Sequence, residues 1–144
     1  MNASTQMKML RIVLFGAAVL LAGCATPGAD QRVKVTLSGD QQNPPVSTPA
    51  SGTGTITVGA DKSISGSVTT RGVEGTVAHI HHAPAGRNGP VIIPLTKTSE
   101  NVWSVPAGRT LTDAQYEAFK AGELYVNVHS ANHKPGEIRG QLKP

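Results

Sequence analysis

The stretch RVKVTLS, Arg32 to Ser38, alternates apolar and polar side chains without a break. Successive side chains of a strand point to opposite faces, so Val33, Val35 and Leu37 form the buried side of a half-buried strand. The alternation returns at Thr55-Ile56-Thr57-Val58. Further strands are predicted at Ile64 to Thr70, Thr76 to His82, Val91 to Leu95, Asn101 to Val105, Glu123 to His129 and Glu137 to Leu142, set apart by Gly, Pro, Asn or Asp. Many short strands broken by turn residues predict an all-β fold, an antiparallel sandwich or flattened barrel. Ala60-Asp61-Lys62 reads as a tight hairpin connection, and Gln41 to Ser51, rich in Pro and Ser, as a long surface loop. The fragments SGTGTITV and SISGSVTT are alike in strand chemistry and do not make a repeat array.

One segment departs from the period of two. Leu111 to Gly122 places apolar residues at helical spacing, with Thr112 and Gln115 as a capping box and Gly122 as the stop signal. A short helix is predicted there, with Leu111, Ala114, Ala118 and Phe119 facing the sandwich and closing one end of its core.

Ahead of the strands, Lys8 and Arg11 precede the apolar run Ile12 to Leu21, followed by Ala22-Gly23-Cys24. A basic region and about ten apolar residues make a signal peptide, too short for the roughly 20 residues of a spanning helix. Leu21-Ala22-Gly23-Cys24 resembles the bacterial lipobox, in which the cysteine is acylated and becomes the first mature residue. Cys24 is the single cysteine of the chain, and lipidation accounts for a lone thiol in an exported protein better than a stray one does. The expected organisation is a signal peptide over residues 1–23, a lipidated tether over 24–31 and one domain over 32–144. The expected location is the bacterial cell envelope. Ala25, where an Asp is absent, favours the outer membrane, with the domain facing the periplasm.

Loss of residues 1–23 removes Lys8 and Arg11 and no acid, lowering the formal charge from +4 to +2. No Lys/Arg block remains, and the aromatic residues after the signal are Trp103, Tyr116, Phe119 and Tyr125, so nucleic acid is not an expected partner. Met1, Met7 and Met9 all lie in the signal. The mature domain therefore has no thioether, and no free thiol once Cys24 is acylated, so it lacks the soft ligands that usually hold copper(I). There is no Gly-rich phosphate loop or nucleophile motif, and no catalytic residue is assigned.

The segment AHIHHAPAGRNGPVII, residues 78–93, carries three of the five histidines. On a strand, His79 and His81 share one face and Ala78 and Ile80 the other, with the two imidazoles about 7 Å apart at their Cα atoms. In Leu124-Tyr125-Val126-Asn127-Val128-His129 the core face takes Leu124, Val126 and Val128, leaving Tyr125, Asn127 and His129 opposite. If these strands are neighbours, His79, His81 and His129 meet on the outer face of one sheet and form a candidate metal site. Copper(II) suits it first, since it binds imidazole most tightly among first-row divalent ions, and zinc second. The competing reading is a purely structural hydrogen-bond network. His82, at the core side or the strand end, and His133, in the turn 131–135, are assigned to solvent or hydrogen bonds, with His133 kept as a candidate additional ligand. Glu137 and Arg139, on one face of the last strand, are expected to form a structural ion pair.

AHIHHAPAGRNGPVIIPL with the later LYVNVHSANHKPGEIRGQL resembles the CHRD domain, described first as a repeat in chordin, over about Val33 to Leu142. The resemblance implies a Greek-key, immunoglobulin-like β-sandwich without established enzymatic activity, and it marks His79, His81, Gly89, Pro90, Asn127, His129, Gly136, Glu137, Arg139 and Gly140. A weaker likeness links the His-x-His strand and Val128-His129 to copper,zinc superoxide dismutases, also β-sandwiches. The loop Ala83 to Pro90 has no His or Asp for their zinc site, and there is no second cysteine. Three functions follow as expectations: a membrane-anchored protein that binds copper or zinc, a structural or protein-interaction module without metal, and a dismutase-like metalloenzyme.

Overall fold

The computed structural model describes residues 28–144; the expected signal peptide and Cys24 lie outside the described residues. The chain forms an all-β antiparallel sandwich with one short helix. Its strands are β1 (Gln31–Ser38), β2 (Ser51–Val58), β3 (Ile64–Arg71), β4 (Gly75–His82), β5 (Val91–Pro94), β6 (Thr96–Ser99), β7 (Val102–Ser104), β8 (Leu124–Ser130) and β9 (Ile138–Leu142), with α1 (Asp113–Lys120) between β7 and β8. Among the described residues no helix is long and apolar enough to cross a membrane.

Side-chain alternation becomes register in the order β5-β4-β8-β9-β1-β2-β3-β7-β6. The two ends of that order, β5 and β6, are separated in the chain by Leu95 alone. The sheet therefore curls until it is nearly closed, and its two halves face each other across one core. Val33, Val35, Leu37, Ile56, Val58 and Val68 from one half are buried against Ile80, Val126, Val128, Ile138 and Leu142 from the other. Full burial of each such side chain contributes about 1.5–3 kcal/mol. Trp103 crosses the gap: a Cβ built on Gly75 would meet its ring at 2.8 Å and Val128 at 3.1 Å, so only glycine fits there.

The hairpin between β2 and β3 forms where expected. Lys62 N–H donates to Gly59 O, Ser63 N–H donates to Asp61 Oδ1, and Lys62 takes a left-handed φ of 68°. The helix carries its capping box, with Gln115 N–H donating to Thr112 Oγ1 and Thr112 N–H to Gln115 Oε1. Gly122, at φ +72°, ends it in a conformation that favours glycine. Leu111, Ala118 and Phe119 are buried as expected. Ala114 is exposed instead, because the first turn lies at the rim and Tyr116 makes the further partial contact with the core.

Two features depart from the sequence reading. Strand β6 is missing from it, since Thr96 to Ser99 is exposed at all four positions and bears no apolar signature. The other is larger: β8 and β9 are buried at every residue, on both faces. The outer face of β4-β8-β9 is covered by three loops, residues 39–50, 83–90 and 131–137. The supposed surface loop 41–51 contributes buried Gln42 and Ala50 to that cover. Gln42 Nε2 donates to Asn127 Oδ1 at 2.6 Å, and Asn88 Nδ2 ties the second loop to the first through Asn43 O at 2.7 Å.

Candidate metal centre

Strands β4 and β8 are neighbours, pairing Val77 with His129, His79 with Asn127 and His81 with Tyr125. This register, with side chains alternating in and out, brings His79, His81 and His129 together beneath the loops. Their ring centroids lie 5.0–6.0 Å apart. One ligand nitrogen from each lies within 4.8 Å of the others. Imidazole nitrogens bind zinc at about 2.0–2.1 Å, so small side-chain rotations bring these three onto a single ion.

The loops that cover the site also fix its protons. His81 Nδ1 lies 2.9 Å from Gly89 O, and His129 Nδ1 lies 2.8 Å from Lys134 O. A carbonyl only accepts, so each Nδ1 carries the proton and donates, leaving Nε2 with a bare lone pair in the neutral ring. His129 Nε2 faces His79 Nδ1 at 3.1 Å. His81 Nε2 is buried with no hydrogen-bond partner. Buried polar atoms are nearly always satisfied, and an orphaned lone pair on a ring of a histidine cluster is what an ion would satisfy. Fixing the outward nitrogen of a ligand histidine through a carbonyl is also the usual arrangement around metals.

Burial depresses the pKa values of His79 and His81 below the ordinary 6.5. Desolvation is the main cause for both. His129 and His81 add repulsion at His79; at His81 the bond to Gly89 opposes the shift, and His129 and Arg139 reinforce it. Both rings thus stay neutral, the form that ligates, to lower pH than a free imidazole.

His81 and His129 are 8 % and 9 % exposed. The cluster is therefore not on the surface, as its outward orientation suggested, but lies within a second, polar layer. His133 stays outside the group of three, because the turn after β8 closes through His133 O, which accepts from Gly136 N–H, and presents Lys134 O to His129. His82 Nε2 lies 3.8 Å from Glu123, also apart from the cluster.

The expected Glu137–Arg139 ion pair does not form among the described residues. Each side chain is buried and satisfied elsewhere. Glu137 accepts from Thr48 Oγ1, while Arg139 donates to Arg87 O, Pro84 O and Gln141 Oε1. The loops that cover the face supply the nearer partners. Tyr125 is the contributor missed from sequence: its ring stacks on His81 with centroids 4.9 Å apart, and its hydroxyl accepts from Gly89 N–H. Its placement on the histidine face was legible, but its role was not, because the contact to Gly89 spans 36 residues of chain.

The two blocks that hold these residues, 78–95 and 124–142, both lie within one continuous match to the CHRD domain over residues 33–142. The chain belongs to the CHRD domain family. No curated protein and no solved structure matches it. Within the CHRD domain, Gly89 and Gly136 are required where they stand. A Cβ on Gly89 would lie 1.9 Å from His82 O, and one on Gly136, at φ +131°, would lie 2.3 Å from Asn127 Oδ1. These glycines let two loops press close enough to bond the histidine layer. Among the described residues the three histidines are the single group of this kind.

Proposed function

We propose that this CHRD-domain chain is an exported, lipid-anchored protein that binds copper through His79, His81 and His129. The observation that carries the reading is the bare, buried Nε2 of His81, on a ring fixed by the Gly89 carbonyl and grouped with two further imidazoles, one ligand nitrogen of each of the three lying within 4.8 Å of the others. A purely structural network would be expected to satisfy that atom.

Copper is favoured over zinc because the donor set is entirely imidazole, for which copper(II) ranks highest among divalent first-row ions. The export signal and lipobox-like segment ending at Cys24 support a place in the cell envelope, anchored to the outer membrane and facing the periplasm. Three protein ligands leave a coordination position for an exchangeable ligand, which suits a protein that holds an ion and passes it on.

The test is calorimetric titration of the metal-free full-length chain, in mild detergent, with copper(II) and then zinc(II). One copper per chain, weakened strongly by His81→Ala, is expected. Absence of binding by the parent would leave the structural or protein-interaction reading in its place.

A further inference from the structure

The polar layer holds a full positive charge that metal capture by three imidazoles does not require. Arg139 is 1 % exposed, and among the described residues no carboxylate forms an ion pair with it. Its hydrogen bonds end on neutral acceptors, Arg87 O at 2.7 Å, Pro84 O at 3.1 Å and Gln141 Oε1 at 3.0 Å. Its guanidinium carbon lies 3.4 Å from the centroid of the Tyr125 ring. Stacking and carbonyl bonds thus hold the cation in place without an anion.

Tyr125 sits on β8, between His81 on β4 and Arg139 on β9, and stacks on His81 with planes 11° apart. Guanidinium, phenol and imidazole therefore form a stacked series that ends at the histidine with the bare Nε2. Burial removes most of the water that would screen the charge. At the effective dielectric of about 20 that suits such sites, a unit charge two stacked layers away disfavours a second positive charge on the ion by roughly an order of magnitude.

We infer that Arg139 is a specificity-determining residue of this site, biasing it toward copper(I) over copper(II). Residues 28–144 contain neither Met nor Cys, so sulfur ligands do not supply that preference. A buried cation supplies it electrostatically. Glu137, two residues earlier, forms no ion pair with Arg139 and accepts the Thr48 hydroxyl instead. The inference rests on copper binding by the three histidines.

The test measures affinities for copper(I), kept reduced with ascorbate, and for copper(II), by chelator competition on the full-length chain and its variants. Arg139→Gln removes the charge and keeps a planar donor; Arg139→Lys keeps the charge and loses the fork. The copper(I)-to-copper(II) affinity ratio is expected to fall about tenfold in the first and to stay within about twofold in the second. Gln141→Glu is a third variant that keeps Arg139, setting an anion against the guanidinium in place of the amide oxygen now 3.0 Å away, and it should lower the ratio in the same sense. An unchanged ratio in folded Arg139→Gln, or in Gln141→Glu where the first variant does not fold, overturns the inference. So does an equal fall in Arg139→Gln and Arg139→Lys, which would assign the preference to loop geometry. A parent that binds neither ion overturns the metal reading itself.

Discussion

His79 Nδ1 and His129 Nε2, on adjacent antiparallel strands, lie 3.1 Å apart and share one hydrogen bond. Because Lys134 O holds the proton of His129 on Nδ1, the shared proton belongs to His79 Nδ1 when both rings are neutral. The bond takes up His79 Nδ1 and His129 Nε2, whereas His81 Nε2 is buried with no hydrogen-bond partner.

Loss of a ligand should therefore be strongly non-additive. His81→Ala is expected to weaken copper(II) binding by at least about tenfold, and adding His129→Ala to cost little more, since a two-imidazole remnant is already weak. His133→Ala should leave affinity within about twofold. Calorimetric titration of the single and double variants, with circular dichroism as the folding control, measures the coupling. Parent-like binding by both His81→Ala and His129→Ala would refute the three-histidine site.

Acid should weaken both the fold and the site, in a window set by the depressed pKa values of His79 and His81. The unfolded chain takes up protons at these residues near pH 6.5, whereas the folded chain resists until lower pH. Stability from this source is thus fully present above about pH 6.5 and declines as pH falls through that value toward the folded-state pKa values. Thermal melts of the metal-free chain should show a fall between pH 7.5 and pH 5 that His79→Gln/His81→Gln reduces. Copper affinity should hold nearly level down to about pH 6.5 and drop below it; a drop centred well above pH 7 would contradict depressed histidines.

Gly136→Ala should destabilise the domain by about 1–3 kcal/mol, because the new methyl group has no room beside Asn127 and the backbone lies at φ +131°. Denaturant unfolding measures the loss. The change also pushes on the turn that carries Lys134 O, so metal affinity should fall with it. A fully stable Gly136→Ala variant would show that the close packing of this turn on β8 is wrong.

At the N-terminus, Cys24→Ser should abolish acylation and block cleavage before residue 24. Mass spectrometry of the product expressed in a Gram-negative host would show the uncleaved, unacylated chain. An acylated, membrane-anchored product from that variant would refute the anchor.

Much of the fold was readable because it follows from local covalent geometry. The period of two in Arg32 to Ser38 placed Val33, Val35 and Leu37 in the core, and the spacing of Thr112 and Gln115 placed the start of the helix. The same rule put His79, His81 and His129 on the outward faces of their strands. Alternation reports which residues share a face, and it needs no knowledge of the rest of the chain. It failed for Thr96 to Ser99, where every side chain is exposed and pairing with β7 alone makes the strand.

What lies over a face is a different matter, decided by contacts between residues distant in the chain. Arg139 meets the carbonyl of Arg87 across 52 residues, Gln42 meets Asn127 across 85, and Thr48 meets Glu137 across 89. Those loops turn an outer face into a buried layer, draw Glu137 and Arg139 to separate partners, fix the protons of His81 and His129, and leave one imidazole nitrogen bare. No local period carries that information, because the free energy of burying a polar side chain depends on the partner that arrives from elsewhere in the fold.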